Sequence, residues 1–243
     1  MKRAVIMGAT SGMGNRVAQL LAERGWRLGV AGRREDNLKS LQQKYPQNIV
    51  YEVIDINEDD APNKLNSLIE KLGGMDTYFH VSGVGSQNRE LEPQIEIMTT
   101  KTNVVGFTRM VTAAFNYFKE RNNGTGHIAV ISSIAGVKGL SHAPSYSATK
   151  SFDNTYIQAL AQLAHSQKLH IKFTDIRPGF VDTPLLDTVK HHYPMLMDVE
   201  YVAPKIVKAI EKQKRSLIID WRYRILVFFW KLIPNCLWER MKI

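Results

Sequence analysis

A tyrosine and a lysine four residues apart, in Tyr146-Ser147-Ala148-Thr149-Lys150, form the stretch with the clearest capacity for chemistry. On a helix the two side chains stand on one face, one above the other. A phenol exchanges protons poorly near neutrality, because its ordinary pKa is about 10. An ammonium one turn away favours the phenolate and makes the group a better acid or base. Alone, this spacing describes any helix surface. Its weight comes from its company. Ser132-Ser133 closes an apolar run just upstream, a glycine-rich loop opens the chain, and Pro178-Gly179 follows another apolar run.

Such residues need a frame, and the patterning supplies one. Short apolar runs predict strands over 4–7, 26–31, 49–54, 77–81, 127–132, 169–176 and 217–219. Between them lie helical patterns. One puts Val17, Leu20 and Leu21 inward and ends at Gly25; another starts near Pro62 and buries Leu65, Leu68, Ile69 and Leu72. Further helices are expected around 38–41 and over about 95–118, 144–166 and 203–212. Strand and helix alternating with right-handed crossovers require a parallel sheet covered on both faces. The expected fold is therefore α/β: a single doubly wound, Rossmann-like domain of about seven strands over residues 1–220.

Composition agrees with this frame. At 243 residues, 44% hydrophobic and 23% charged, the chain is long enough for one large globular domain. Met1-Lys2-Arg3 leads into an apolar run too short for a secretory signal, and the single Cys236 fits a reducing, cytoplasmic setting. The net charge of +9 is uneven: residues 201–243 hold ten Lys/Arg against three Asp/Glu, so +7 of it sits there. The histidines, among them His191-His192, lack metal-ligand spacing with acids or cysteine, and no metal is assigned.

The glycine loop Gly8-Ala9-Thr10-Ser11-Gly12-Met13-Gly14 follows the first strand. Backbone amides at the positive end of the next helix suit a pyrophosphate. Any tight strand-to-helix turn wants glycine, but position in the first unit strengthens the reading. At the end of the second strand, where a carboxylate would bind the ribose of NAD, the chain has Gly32-Arg33-Arg34. Nothing there repels a 2′-phosphate and guanidinium groups can grip it, so NADP is expected over NAD.

With these motifs together, the sequence resembles a classical short-chain dehydrogenase/reductase over residues 3 to about 220. Gly8-x-x-x-Gly12-x-Gly14, Asp55-Ile56, Asn103, Ser133, Tyr146-x-x-x-Lys150 and Pro178-Gly179-x-x-x-Thr183 stand in the family's order, and Ser133 precedes Tyr146 by thirteen positions, the family's usual interval. The resemblance implies hydride transfer between a nicotinamide and a carbonyl/alcohol pair. Tyr146 would be the acid or base, Lys150 would assist it and hold the nicotinamide ribose, and Ser133 would polarise the carbonyl. Asn103 would anchor a water that relays protons. Thr10, Ser11 and Met13 in the glycine loop, Arg33, Arg34, Asp55, Ile56, Ser82, Gly83, Pro178, Gly179, Val181 and Thr183 would border the cofactor. Assembly as a homodimer or homotetramer is implied as well. Two departures stand out: Met7 replaces the threonine that usually opens the glycine loop, and His80-Val81-Ser82-Gly83 replaces Asn-Asn-Ala-Gly. The lost asparagines brace the sheet, so altered bracing is expected, with His80 a buried or rim histidine and not a catalytic one.

Two segments leave alternatives open. The lid expected over about 184–200 carries Leu185, Leu186, Val189, Tyr193, Met195, Leu196 and Met197, beside Lys190, which suits an adaptable apolar pocket or simple packing. The tail, 221–243, interleaves aromatics with Arg222, Arg224, Lys231, Arg240 and Lys242; its longest apolar run is far short of the ~20 residues that span a bilayer. A protein contact, through a second subunit or the pocket rim, is the expected use, with a membrane surface as the alternative. No nucleic-acid module is recognisable. The favoured activity is an NADP-dependent carbonyl reductase or alcohol dehydrogenase acting on an apolar small molecule. Reduction of a 3-oxoacyl group on an acidic carrier protein is the nearest alternative, and a non-catalytic dinucleotide sensor or scaffold is a third.

Overall fold

Aliphatic and β-branched runs can form strands only where both sides of the strand find cover, and each expected run does so here. The computed structural model describes residues 2–121, 123–186 and 193–241. Its strands are β1 (Arg3–Met7), β2 (Arg27–Gly32), β3 (Ile49–Val53), β4 (Thr77–His80), β5 (Thr125–Ile131), β6 (His170–Pro178) and β7 (Ser216–Ile219). The helices are α1 (Gly12–Glu23), α2 (Glu35–Lys44), α3 (Ala61–Leu72), α4 (Pro93–Thr100), α5 (Phe107–Arg121), α6 (Pro144–Ser166), α7 (Val199–Glu211), α8 (Trp221–Leu232) and the short α9 (Asn235–Trp238).

The sheet runs β3-β2-β1-β4-β5-β6-β7, every pair parallel. Side chains alternate between its faces. Ala4 and Ile6 of β1 join a core with α1, α2, α7 and the start of α8, while Val5 and Met7 join a second core with α3, α5 and α6. Because β1 lies between β2 and β4, crossovers leave it in both directions. That reversal opens a crevice at the carboxyl ends of β1 and β4, the place where ligands bind in such sheets.

The structure differs from the sequence pattern in its helices. The helical stretch expected over about 95–118 starts at Pro93 and ends at Arg121, and a π-helical segment, Lys101–Gly106, divides it into α4 and α5. Helix α7 starts at Val199, before the expected 203, and carries Pro204 inside it. It thereby absorbs the end of the expected lid. Val189, Lys190, His191 and His192 of the lid and Lys242 of the tail lie outside the described residues.

Two histidines are built into the sheet. His80 ends β4, fully buried, with Nδ1 2.9 Å from the Tyr78 hydroxyl and its ring edge-on to Phe107. His127 on β5 is buried with Nε2 2.8 Å from Thr174 Oγ1. Burial, with the Lys150 charge adding to it, holds the His80 pKa down to about 3, and burial holds that of His127 down to about 4. In the unfolded chain both would take a proton near pH 6.5. Stability is therefore intact above about pH 6.5 and is lost as pH falls below it, since only the unfolded state binds the protons. Between about pH 6.5 and 5 each histidine should contribute a loss of roughly 2 kcal/mol. Denaturant unfolding at pH 7.5 and 5 should show this loss less about 1 kcal/mol returned by Asp153, whose buried carboxyl is pushed up to about 6, and His80→Asn should reduce the pH dependence by roughly 2 kcal/mol. An unchanged slope in that variant would contradict the account.

Candidate active site

The crevice at the reversal point begins with the loop from β1 into α1. Gly8 has φ +106°, and a side chain there would start 2.7 Å from the Ser82 amide nitrogen. Gly12 has φ +52°, and its Cα faces the Thr183 side chain, 3.2 Å from where a Cβ would sit. A side chain at Gly14 would collide with the Gly8 carbonyl. The glycines therefore let β1, β4 and α1 converge and leave backbone amides facing an open groove.

That groove is lined by Gly8, Thr10 to Gly14, Gly32 to Arg34, Ile54 to Asn57, Val81 to Val84, Thr102 and Thr183 to Leu185. The Arg34 guanidinium donates to Thr10 Oγ1 at 2.8 Å and to Ser11 Oγ at 2.6 Å, with Arg33 exposed beside it. This end of the groove therefore holds two guanidinium groups and two hydroxyls and no carboxylate on Gly32. Asp55 turns its Oδ1 back to the Asn57 amide, 3.0 Å away, while Ile56 is buried.

At Gly83 the groove meets Asn103 and Lys150. A Cβ on Gly83 would stand 3.3 Å from Asn103 Oδ1 and 3.8 Å from Lys150 Nζ. Asn103 lies in the π-helical segment, and its side chain is a clamp: Oδ1 accepts from the Val84 amide at 2.8 Å, and Nδ2 donates to the Val84 carbonyl at 2.7 Å and to Thr149 Oγ1 at 3.2 Å. Widened turns of this kind recur at functional sites, because they turn one side chain out of the helical register. Lys150 Nζ lies 5.9 Å from the centre of the Tyr146 ring. The chain after β4 crosses that ring at Gly85, where a Cβ would stand 2.7 Å from Tyr146 Cδ2. Ser133 follows β5 and caps a 3-10 turn, Ile134–Val137, accepting from the Ala135 amide at 3.1 Å. That turn packs on α6 through Gly136, which has no room for a side chain against the Lys150 backbone.

Helix α6 explains how an ammonium comes to be buried here. Its inward face carries Lys150, Asp153, Ile157, Leu160 and Ala164, so one face changes from ionic to apolar along its length. Lys150 Nζ donates to Asp153 Oδ2 at 2.9 Å and to the Ile131 carbonyl at 3.1 Å. Burial opposes its charge, yet Asp153, the Tyr146 oxygen and Asp175 together raise its pKa above that of an ordinary lysine. Burial pushes the Asp153 carboxyl up to about 6, with Lys150 opposing and Asp175 adding to the rise. Asp175 is engaged in turn by Ser132 Oγ at 2.5 Å and by Arg177 at 2.6 Å. The sequence reading missed Asp153, Asp175 and Gly85. The signal for Asp153 was present, three residues after Lys150 on a face that continues as Ile157 and Leu160.

Pro178, Gly179 and Val181 do not line the groove. Pro178 ends β6, Gly179 lies flat against the Tyr223 ring, and Val181 pairs with Met197. Tyr223 opens the tail, yet it is buried: its hydroxyl donates toward the Pro194 and Met195 carbonyls, 3.0 and 3.1 Å away, and accepts from the Phe180 amide at 3.2 Å.

A doubly wound sheet with this cradle and this Tyr/Lys/Ser/Asn set defines a class, and residues 2–194 match the family model for short chain dehydrogenase. The chain belongs to that family and is an oxidoreductase. It is 29% identical over 244 residues to an uncharacterized oxidoreductase of Myxococcus xanthus (strain DK1622), covering 98% of this chain and 95% of that one. A putative ketoacyl reductase of Streptomyces coelicolor (strain ATCC BAA-471 / A3(2) / M145) is 29% identical over 205 residues, 81% of this chain and 77% of that one. Among solved structures, ElxO with NADP bound shares the fold with a TM-score of 0.80 at 22% identity, over 92% of this chain and 99% of that one. An alcohol dehydrogenase from the archaeon Thermococcus sibiricus, complexed with 5-hydroxy-NADP, has a TM-score of 0.78 at 22% identity, over 90% and 96%.

The ion pair at the centre of α6 can be tested directly. Asp153→Asn keeps the shape but removes the charge, and a buried ammonium left alone costs about 3–5 kcal/mol or gives up its proton. We expect a lower melting temperature. We also expect turnover and cofactor affinity to fall together between about pH 7 and 9, as Lys150 loses the carboxylate that holds its charge. The unmodified protein should hold both across that range, and superimposable pH profiles would refute the role given to Asp153.

Proposed function

We propose that the chain is an NADP-dependent oxidoreductase that interconverts a carbonyl and an alcohol on a fairly apolar small molecule. The observation that carries this reading is the junction at Gly83, where the glycine-cradled groove runs up to Asn103 and Lys150 with Tyr146 one helical turn from the lysine. The catalytic domain is assigned to 1–220, with its lid at about 184–200 and the tail at 221–243.

A bound nicotinamide supplies or accepts the hydride. The chain supplies the rest. Tyr146 gives its phenolic proton to the carbonyl oxygen in reduction and takes it back in oxidation. Lys150, with two of its three donors fixed on Asp153 and Ile131, keeps one for the ribose hydroxyls, and its charge stabilises the phenolate that forms. Ser133 orients and polarises the carbonyl, and Asn103 holds the relay water. Gly8 and Thr10 to Gly14 cradle the pyrophosphate, Asp55 and Ile56 border the adenine, and Ser82 and Gly83 floor the ribose. Thr183 faces the carboxamide end, and Pro178, Gly179 and Val181 position the segment that carries it. Arg33 and Arg34 take the 2′-phosphate, which favours NADPH over NADH. Solved proteins of the same fold with NADP bound support that choice.

The enzyme works as a homodimer or homotetramer in this reading, and the lone, exposed Cys236 is consistent with a reducing cytoplasm. A second reading, reduction of a 3-oxoacyl group on an acidic carrier, is favoured by the relative named a putative ketoacyl reductase and by the basic C-terminal segment.

Two measurements test these assignments. In an NADPH-oxidation screen over ketones, aldehydes and acyl-carrier substrates, Tyr146→Phe should lower turnover by roughly 10²–10⁴ while leaving NADPH binding nearly unchanged. Lys150→Ala should damage both. Near-normal turnover in the phenylalanine variant would remove Tyr146 as the proton donor. In direct binding, NADPH should exceed NADH by at least about tenfold, or ~1.4 kcal/mol, and Arg33→Ala should erase most of the difference. Equal dissociation constants in the unmodified protein would overturn the cofactor assignment.

A further inference from the structure

Helix α8 is apolar on two faces, and the chain covers one of them. Tyr223 and Val227 are buried in the core, with Leu226 and Trp230 half-buried beside them. At about 100° per residue, Trp221, Ile225, Phe228, Phe229 and Leu232 fall within an arc of roughly 100° on the opposite side. All five are 50–64% exposed. Leu237 and Met241, beyond the helix, are exposed as well.

Charge borders the stripe in an ordered way. By the same helical angles, Arg224 and Lys231 lie along one margin and Arg222 along the other. Arg222 is paired with Asp220 at 2.9 Å, whereas neither Arg224 nor Lys231 forms an ion pair among the described residues. Arg240 is exposed further on. Between Trp221 and Met241 the sequence holds four cations and one acid, Glu239. A second copy docking by two-fold symmetry would present the same patch to itself. Its rim would set arginine and lysine against their own counterparts with almost no acid to receive them. An anionic lipid surface is complementary instead: acyl chains take the stripe, and headgroups take the cations. No helix among the described residues is long and apolar enough to cross a membrane, so α8 would lie in the plane of the surface.

The same tail reaches the reaction centre. Trp238 of α9 is buried with Ala135 and Leu140, and Tyr146, Trp230 and Ile233 pack around that cluster. The Trp238 indole donates to the Gly139 carbonyl at 2.7 Å. Lys138 Nζ donates to the Ile233 carbonyl at 3.0 Å and to Asn235 Oδ1 at 2.7 Å. The segment bearing the exposed stripe is thus fastened to the loop after Ser133, beside the proposed proton donor.

We propose that α8 docks on an anionic lipid surface, its Trp221-to-Leu232 stripe at the acyl boundary and Arg224, Lys231 and Arg240 among the headgroups, and that the enzyme draws a lipid-dissolved carbonyl or alcohol from that surface. The docking stands on the tail alone; the substrate class rests on the oxidoreductase reading above.

Co-sedimentation of the full chain with vesicles tests the docking without any assay of turnover. Binding to phosphatidylcholine vesicles containing phosphatidylglycerol should exceed binding to pure phosphatidylcholine by at least about tenfold and should weaken as salt is raised. Arg224→Glu with Lys231→Glu, and separately Phe228→Ser with Phe229→Ser, should each lower that binding by about tenfold or more. These side chains are exposed, so both variants should keep the melting temperature, the hydrodynamic mass and the turnover of a water-soluble ketone. A long-chain ketone carried in the vesicles should be reduced at least about tenfold faster by the unmodified protein than by the Phe228/Phe229 variant. Absent vesicle binding, or binding unaltered by both double substitutions, would overturn the docking. So would a halved hydrodynamic mass in the variants without vesicle binding in the parent, which would make the stripe a self-contact. Vesicle binding that behaves as expected, with neither ketone reduced, would uphold the docking and remove the activity and substrate class.

Discussion

The ammonium of Lys150 is the constraint around which the rest of the site is arranged. A charge this deeply buried persists only if it is paired and hydrogen-bonded, and two elements supply acceptors for two of its three donors. Asp153 comes from the next turn of the same helix, the Ile131 carbonyl comes from the end of β5, and the remaining direction is toward Gly83 after β4. Those partners must be where they are, so the register of β4 against β5 and the seating of α6 on the sheet are tied to one nitrogen atom. Asp175 on β6 extends the arrangement to Arg177 and Ser132. The site is therefore a joint between four elements. Its polarity is bearable because the same face of α6 turns apolar at Ile157 and locks into the core.

Much of this was legible from residue order. Seven strands announce themselves because a parallel sheet needs apolar residues on both faces, Tyr146 and Lys150 stand one helical turn apart, and Ser133 and the glycines follow the intervals of the family that the sequence resembles. The π-helical segment was not legible. An apolar period of 3.6 averages over one widened turn, and the cause of the widening is tertiary: Asn103 leaves the helical register to hold both backbone groups of Val84. Asp153 was passed over for a different reason. An acid three residues from a lysine usually marks a solvated pair, and only the fold shows that both are buried. His80 illustrates a substitution that the structure explains. Where the family has asparagine, an imidazole bonded to Tyr78 and edged against Phe107 fills the base of the site.

The tail resisted reading because helix α8 has apolar residues on two sides, and periodicity alone does not say which side turns inward. The deciding contacts are long-range. Gly179 leaves a flat space that the Tyr223 ring occupies, and the hydroxyl of that ring holds three backbone groups around the segment after β6. Once Tyr223 is fixed, Val227 follows it inward and Trp221, Ile225, Phe228, Phe229 and Leu232 must face out. Tyr223 and Trp238 are buried within the chain, while Trp221, Phe228 and Phe229 remain exposed.

These contacts give the tail a part in the geometry of the site even before any partner is considered. Its first turn braces the segment that carries Val181 and Thr183, and its last turn braces the loop that follows Ser133. The two braced segments lie on either side of Tyr146 in sequence, and the residues that hold them, Tyr223 and Trp238, are linked through α8 and α9. A force applied to the outer face of α8 would be transmitted to both, because neither Tyr223 nor Trp238 can shift without giving up hydrogen bonds to backbone groups. The position of the tail and the shape of the space above the phenol are thus linked through ordinary packing and hydrogen bonding.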